Sequence, residues 1–270
     1  LQARKSTILE SIAAQGKLTT DLALAINTAE TKTLLEDLYL PYKPKRRTKA
    51  QIAREAGLDT LLAAILTDRS IAPDNVALRY INIEKGIADA ATALDGARQI
   101  LMEELSENAA LLSELRDYIW QQGVMYAHVI TGKEAEAEKF KDYFDYKEPL
   151  QKIPSHRILA MFRGRNEEYL ALTLLPADDE KIGHEQCALR VAKTLMIKDA
   201  LLPANIWLAE GARMAWRVKL FTRIDLDLKN QLLESAQAEA IRVFANNLRD
   251  LLLAAPAGAK ITMGLDPGIR

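Results

Sequence analysis

The chain has a single cysteine, Cys187, in 270 residues. That excludes an internal disulfide framework and fits a reducing compartment. Histidine is nearly as scarce. His128, His156 and His184 are too dispersed for a standard ligand spacing, and one cysteine does not supplement them. No metal and no cofactor is therefore expected, and each histidine reads as a surface or satisfied core residue. Charge of one sign is also missing: 36 basic against 37 acidic residues leave a net charge of −1. Any attraction to nucleic acid must then come from local patches. No apolar run reaches membrane-spanning length, and no secretory leader is expected. Thr131-Gly132-Lys133 ends like a phosphate loop, but Ala127 stands where the upstream glycine is required. No serine sits in a Gly-x-Ser-x-Gly elbow.

Half of the residues are hydrophobic, enough for real cores. The first half reads as helical. Thr19, Thr20 and Asp21 offer cap chemistry before a helix running to about Leu40, where Pro41 stops it. Further helices start near Thr48 and after Pro73-Asp74, with breaks at Gly57 and Gly86, and two more are split near Ser106–Asn108. Ile87, Ala91, Leu94, Leu101 and Leu105 recur at helical spacing, with Arg98 as one charged interruption.

The middle changes character. Val124–Ile130, Ile158–Phe162 and Tyr169–Leu174 have strand-like composition, with Arg163–Asn166 as a hairpin turn between the last two. A short helix, Lys133–Asp142, is expected after the first strand. Helices then return over Glu185–Ala200, Ala204–Thr222 and Asp225–Ala255. Two acids in the first turn of the last favour its dipole, and Leu232, Ala236, Ala240, Phe244, Leu248 and Leu252 form a stripe suited to packing on another helix. Lys260–Leu265 reads as a final strand. The tryptophans Trp120, Trp207 and Trp216 read as packing residues. The expected fold is mainly α, an elongated multi-helix scaffold with a small inserted antiparallel β-sheet. Its expected regions are 1–122, 123–176, 177–258 and a truncated module at 259–270.

One segment carries most of the functional signal. Between Asp37 and Glu55 stand Lys43, Lys45, Arg46, Arg47, Lys49 and Arg54, without an acid. Pro41 and Pro44 start this run as an ordered loop rather than a helix. Lysine and arginine neutralise phosphates, so these six residues are the candidate nucleic-acid contacts. The competing role is structural: the cations tie helix ends to carboxylates, with Glu36 and Asp37 close by as partners. Gln51–Leu58 has the spacing of a helix-turn-helix opening. The following segment Thr60–Leu66, TLLAAIL, is nearly all apolar and belongs in a core rather than a DNA groove.

LLEDLYLPYKPKRRTKAQIAREAGL resembles the hallmark of the Tex family of bacterial transcription accessory proteins. GKEAEAEKFKDYFDYKEPLQKIPSHRILAMFRGRNE resembles that family's central signature, and EAIRVFANNLRDLLLAAPAG the long helix before its YqgF module. MGLDPGIR is similar to the first strand and turn of that module. The resemblance implies a multidomain cytoplasmic nucleic-acid-binding protein acting with the transcription machinery, with no membrane partner. It also implies that this chain is an internal piece, with an OB-fold module and a helix-hairpin-helix region beyond Arg270. Asp266 falls at the first carboxylate position of a ribonuclease H-like fold, in a module the resemblance implies is degenerate for nuclease chemistry. The alternative is the N-terminal arm of a metal-dependent nuclease or junction resolvase, completed by carboxylates beyond the chain. Two-metal phosphoryl transfer needs several converging carboxylates, and this chain supplies one.

Overall fold

A computed structural model describes residues 1–44, 47–199, 201–256, 258–261 and 263–266. The first three helices, α1 (Gln2–Ala14), α2 (Thr20–Thr28) and α3 (Lys32–Tyr39), fold around their own small core of Ile8, Ile12, Ile26, Ala29, Leu35 and Tyr39. The single helix expected from Thr19 to Leu40 is thus two. Thr31 accepts the Leu34 N–H at 3.2 Å and caps a new helix start. The break lets Leu35 and Tyr39 fold back onto Ile8 and Ile12. Lys5, itself buried, donates to the Asn27 carbonyl at 2.7 Å and satisfies the carboxyl end of α2.

The main body follows: α4 (Lys49–Glu55), α5 (Leu58–Thr67), α6 (Pro73–Ala77), α7 (Ala90–Ser106) and α8 (Ala109–Gln122). Helix α7 is the hub, packed by α4, α5 and α6. Its inward face is Ala93, Leu94, Ala97, Ile100, Leu101 and Leu105, while Ala91, expected on that stripe, is exposed. Gly57, at φ +90°, turns α4 into α5 in a left-handed conformation that a side chain rarely adopts.

A three-stranded antiparallel sheet is inserted next, in the order β2-β1-β3, from β1 (Val124–Val129), β2 (Asp145–Pro149) and β3 (Leu170–Leu175). The expected hairpin is overturned. Ile158–Phe162 and the turn Arg163–Asn166 lie inside one helix, α9 (Ser155–Asn166). Ile158, Met161 and Phe162 are buried at a spacing of three and four, so the helical period wins over strand-like composition. Arg163 and Arg165 sit in its last turn, where cations suit the dipole. The second strand is Asp-Tyr-Lys-Glu-Pro, an edge strand too polar to announce itself. The helix expected at Lys133–Asp142 is instead a pair of turns and a 3-10 segment, Glu138–Tyr143, bent at Phe140, whose ring is buried.

After the sheet come α10 (Glu180–Thr194), α11 (Pro203–Ala215) and α12 (Phe221–Leu252). Helix α10 starts earlier than Glu185 because Asp179 caps it, accepting the Ile182 N–H at 3.0 Å. The expected break after Thr222 does not occur. A π turn, Trp216–Leu220, joins α11 to α12 without interruption, giving a rod of about 75 Å at 1.5 Å per residue. Asp225 and Asp227 therefore lie within a continuous helix, and their supposed dipole role is replaced by ion pairs. Only the start of the apolar stripe is covered: Leu232 and Ala236 are buried, but Phe244 is 67% and Leu252 76% exposed.

The chain exposes 16,995 Å², where a compact monomer of this mass exposes about 11,700 Å². The excess fits an extended helical scaffold. Of the strand expected at 260–265, the described residues form none: Ile261, Met263 and Leu265 are exposed, and they pair with no strand among the described residues. An isolated strand leaves its backbone groups unpaired, so composition alone does not make one. No helix among the described residues is long and apolar enough to cross a membrane.

Candidate nucleic-acid interface and the charged junction

The basic loop leaves α3 through a 3-10 turn at Leu40–Tyr42 that contains Pro41. Lys43 and Lys49 are exposed to solvent, as is Arg47. Lys45 and Arg46 lie outside the described residues. The loop ends at Thr48, whose hydroxyl accepts the Gln51 N–H at 3.0 Å and donates to Glu103 at 3.0 Å. Arg54 then bonds Glu103 at 2.5 Å and Glu104 at 3.3 Å. Glu103 is only 5% exposed, so Arg54 bolts α4 onto α7 around a buried carboxylate. Arg47 bonds Glu55 across the loop at 2.6 Å. Of the six candidate contacts, Arg54 is thus engaged with Glu103 and Glu104, and Arg47 with Glu55. Lys43 and Lys49 remain at the surface. Helix α5, the second of the helix-turn-helix-like pair, buries Leu58, Leu61, Leu62 and Ile65, so its apolar face is spent on the core.

Among the described residues, Glu36 and Asp37 make their hydrogen bonds away from this loop, although the Lys43 charge also favours the ionised Glu36. Glu36 receives Arg4 through two bonds, 2.6 and 3.0 Å, and that pairing holds its carboxyl below the ordinary range. Asp37 is fully buried and forms the centre of a charged junction. Arg116 of α8 bonds one of its oxygens, and Arg223 of α12 bonds the other at 2.8 Å. Asp227 closes the network by accepting from Arg116 at 3.2 Å. Burial pushes the Asp37 carboxyl up, while the two guanidiniums pull it back. The junction borders a cleft of about 880 Å³ whose lining includes Lys32, Ser113, Trp120 and Gln231. It links α3, α8 and α12, and so ties the N-terminal core to the body. Sequence reasoning missed it, because its members are 79 and 186 positions apart and no local period relates them.

The histidines divide as their surroundings dictate. His184 accepts the Trp216 indole N–H at 3.0 Å, and burial lowers its pKa. His156 is exposed, and His128 is half-buried on β1. Among the described residues no group of three or more His, Cys, Asp or Glu side chains could hold a metal ion. Asp266 is exposed, and Pro267 and Gly268 of its expected turn lie outside the described residues. Cys187 is buried, and burial pushes its thiol up to about 12. A thiol reagent at neutral pH should therefore leave Cys187 unmodified in the folded chain and label it fully in denaturant. Rapid labelling under native conditions would show that this part of the core is open.

The family described as Tex central region-like matches residues 68–244. Protein tex of Bordetella pertussis is 54% identical over 97% of this chain and 34% of its own length. The transcriptional accessory protein Tex of Neisseria gonorrhoeae is 48% identical over all of this chain and 35% of its own. The S1 RNA-binding domain-containing protein 1 of Homo sapiens is 26% identical over 97% of this chain and 27% of its own. The chain spans about a third of the length of its bacterial relatives.

Proposed function

Because the chain belongs to the Tex family, we propose that it is the helical scaffold and contact surface of a cytoplasmic, nucleic-acid-binding transcription accessory factor. The names of its relatives support this reading, one being a transcriptional accessory protein and another carrying an S1 RNA-binding domain. The observation that carries the scaffold role is the second half of α12. There Ile241, Phe244, Leu248, Leu251 and Leu252 stand exposed on a helix whose first half buries Ile224, Leu228, Leu232 and Ala236. Five large apolar side chains on one rod form a face suited to a protein contact. Its occupant is the remainder of the full-length protein, of which this chain spans about a third in its bacterial relatives. Lys43 and Lys49, with Lys45 and Arg46 beside them in sequence, supply sequence-independent phosphate contacts.

The test compares this chain with the full-length protein in a salt titration of RNA and DNA binding. The chain alone should bind weakly and lose affinity as salt rises, and the full-length protein should bind more tightly. Phe244→Asp with Leu248→Asp should make the full-length protein sensitive to proteolysis along α12. A full-length protein that binds neither nucleic acid would overturn the reading. We assign no catalytic step to these residues. Magnesium- or manganese-dependent cleavage by the full-length protein, abolished by Asp266→Asn, would replace the scaffold with the nuclease.

A further inference from the structure

We infer that the solvent-facing side of the three-stranded sheet is a stacking platform for single-stranded nucleic acid, with Tyr126 and His128 as its rings and Lys147 as its phosphate contact. This rests on the nucleic-acid reading above and adds a site to it, remote in sequence from the basic loop.

The placement follows from strand alternation. On β1, the central strand, Met125 and Ala127 are buried in the main core, so Tyr126 and His128 belong to the opposite face. Helix α9 occupies the core side of β3, close enough that a Cβ on Gly164 would meet Leu170 at 2.5 Å. On the outer side Tyr126 and His128 are half-buried, with ring centroids 5.2 Å apart and planes inclined by 29°. Their cross-strand neighbours leave room. Tyr126 faces Lys147 on β2 and Thr173 on β3, and His128 faces Asp145 and Ala171. No large apolar side chain stands in either cross-strand position to cover the rings.

Charge is arranged around the rings. The Lys147 ammonium lies 5.0 Å from the Tyr126 centroid, and among the described residues it makes no ion pair. The Asp145 carboxylate nearby holds the Tyr126 phenol above its ordinary range. Tyr169, at the far end of the sheet, is not part of this pair: its ring lies 6.0 Å from that of buried Phe140, beside α9. There Lys133 and Lys139 lie 6.0 and 5.7 Å from the Tyr169 ring. These two lysines are shared with Glu168 and Glu167, so they contribute less attraction than Lys147.

The ligand class follows from which part of a nucleic acid a ring can touch. In a duplex the faces of the bases are already stacked on one another, and only edges and phosphates are offered. Rings held on an antiparallel sheet need unstacked bases, as sheet-based single-strand binders do. With one acid on the same face, affinity must come mainly from stacking, and sequence preference should be slight.

The experiment measures binding of a fluorescent oligouridine, and of duplex RNA of equal length, to the 270-residue chain by anisotropy. Both side chains stand away from the core, so circular dichroism should show the variants folded. Tyr126→Ala with His128→Ala should weaken oligouridine binding by about tenfold or more with the salt slope unchanged. The ring-preserving pair Tyr126→Phe with His128→Phe should restore it. Lys147→Ala should instead reduce the salt slope by about 0.7. Parent-like affinity in the alanine pair would overturn the platform while leaving the nucleic-acid reading intact. No oligouridine binding by the chain, or binding no better than to duplex, would also overturn it. The full-length titration above decides the wider reading separately.

Discussion

Asp37→Ala is expected to cost about 3–5 kcal/mol, because it leaves two guanidiniums at a buried site without their shared carboxylate. Arg116 and Arg223 converge on that group from helices far apart in the chain. The N-terminal helices have a core of their own, separate from the main one. Losing the junction should therefore detach α1–α3 before the body unfolds. Thermal denaturation should show a midpoint lowered by roughly 6–20 °C, at about 2–4 °C per kcal/mol, or a split transition. Limited proteolysis should cut first among residues 1–44. Asp37→Asn keeps the shape and two acceptor or donor positions, and should lie between parent and alanine. A single transition at the parental temperature for Asp37→Ala would show that the junction contributes nothing.

Arg54→Ala should have the second-largest effect, and it separates the two roles of the basic loop. Glu103 is 5% exposed and is held by Arg54 and Thr48. Removing the arginine takes a charged partner from a buried carboxylate between α4 and α7, at a cost of about 3 kcal/mol. Nucleic-acid affinity of the folded variant, measured well below its melting temperature, should be unchanged. Lys43→Ala with Lys49→Ala should do the opposite, since both side chains are exposed. Stability should hold within about 0.5 kcal/mol, while affinity and salt slope fall. If Arg54→Ala left the melt untouched and weakened binding, Arg54 would be a phosphate contact and not a bolt.

Much of the fold was legible where one local rule acted over many residues. The break at Gly57, the caps around Asn108 and the helical periods of α7 and α8 all act within a turn or two. β1 and β3 were legible because each has one buried face. Failures occurred where five residues had to be read without their context. Ile158–Phe162 is strand-like by composition but helical by its burial spacing, and Asp145–Pro149 pairs as a strand despite its polarity. The break expected between Thr222 and Asp225 is absent because α12 continues through both from the π turn at Trp216–Leu220.

The candidate site divides in the same way. Cation density at 43–54 is a local property, and the sequence alone pointed to it. Which of those cations are free is not local. Arg54 meets Glu103 across 49 positions, so only the packing of α4 on α7 brings the two together. The pairing of Tyr126 with His128 was open to inspection as a spacing of two. Whether that spacing presents two rings or buries them depended on where α9 packs. The helical class, the inserted sheet and the family were therefore determined by the order of residues along the chain. The charged junction at Asp37, the polar edge strand and the unbroken rod of α11 and α12 were decided by tertiary structure. Their physical cause is contact between residues far apart in sequence, which no local propensity encodes.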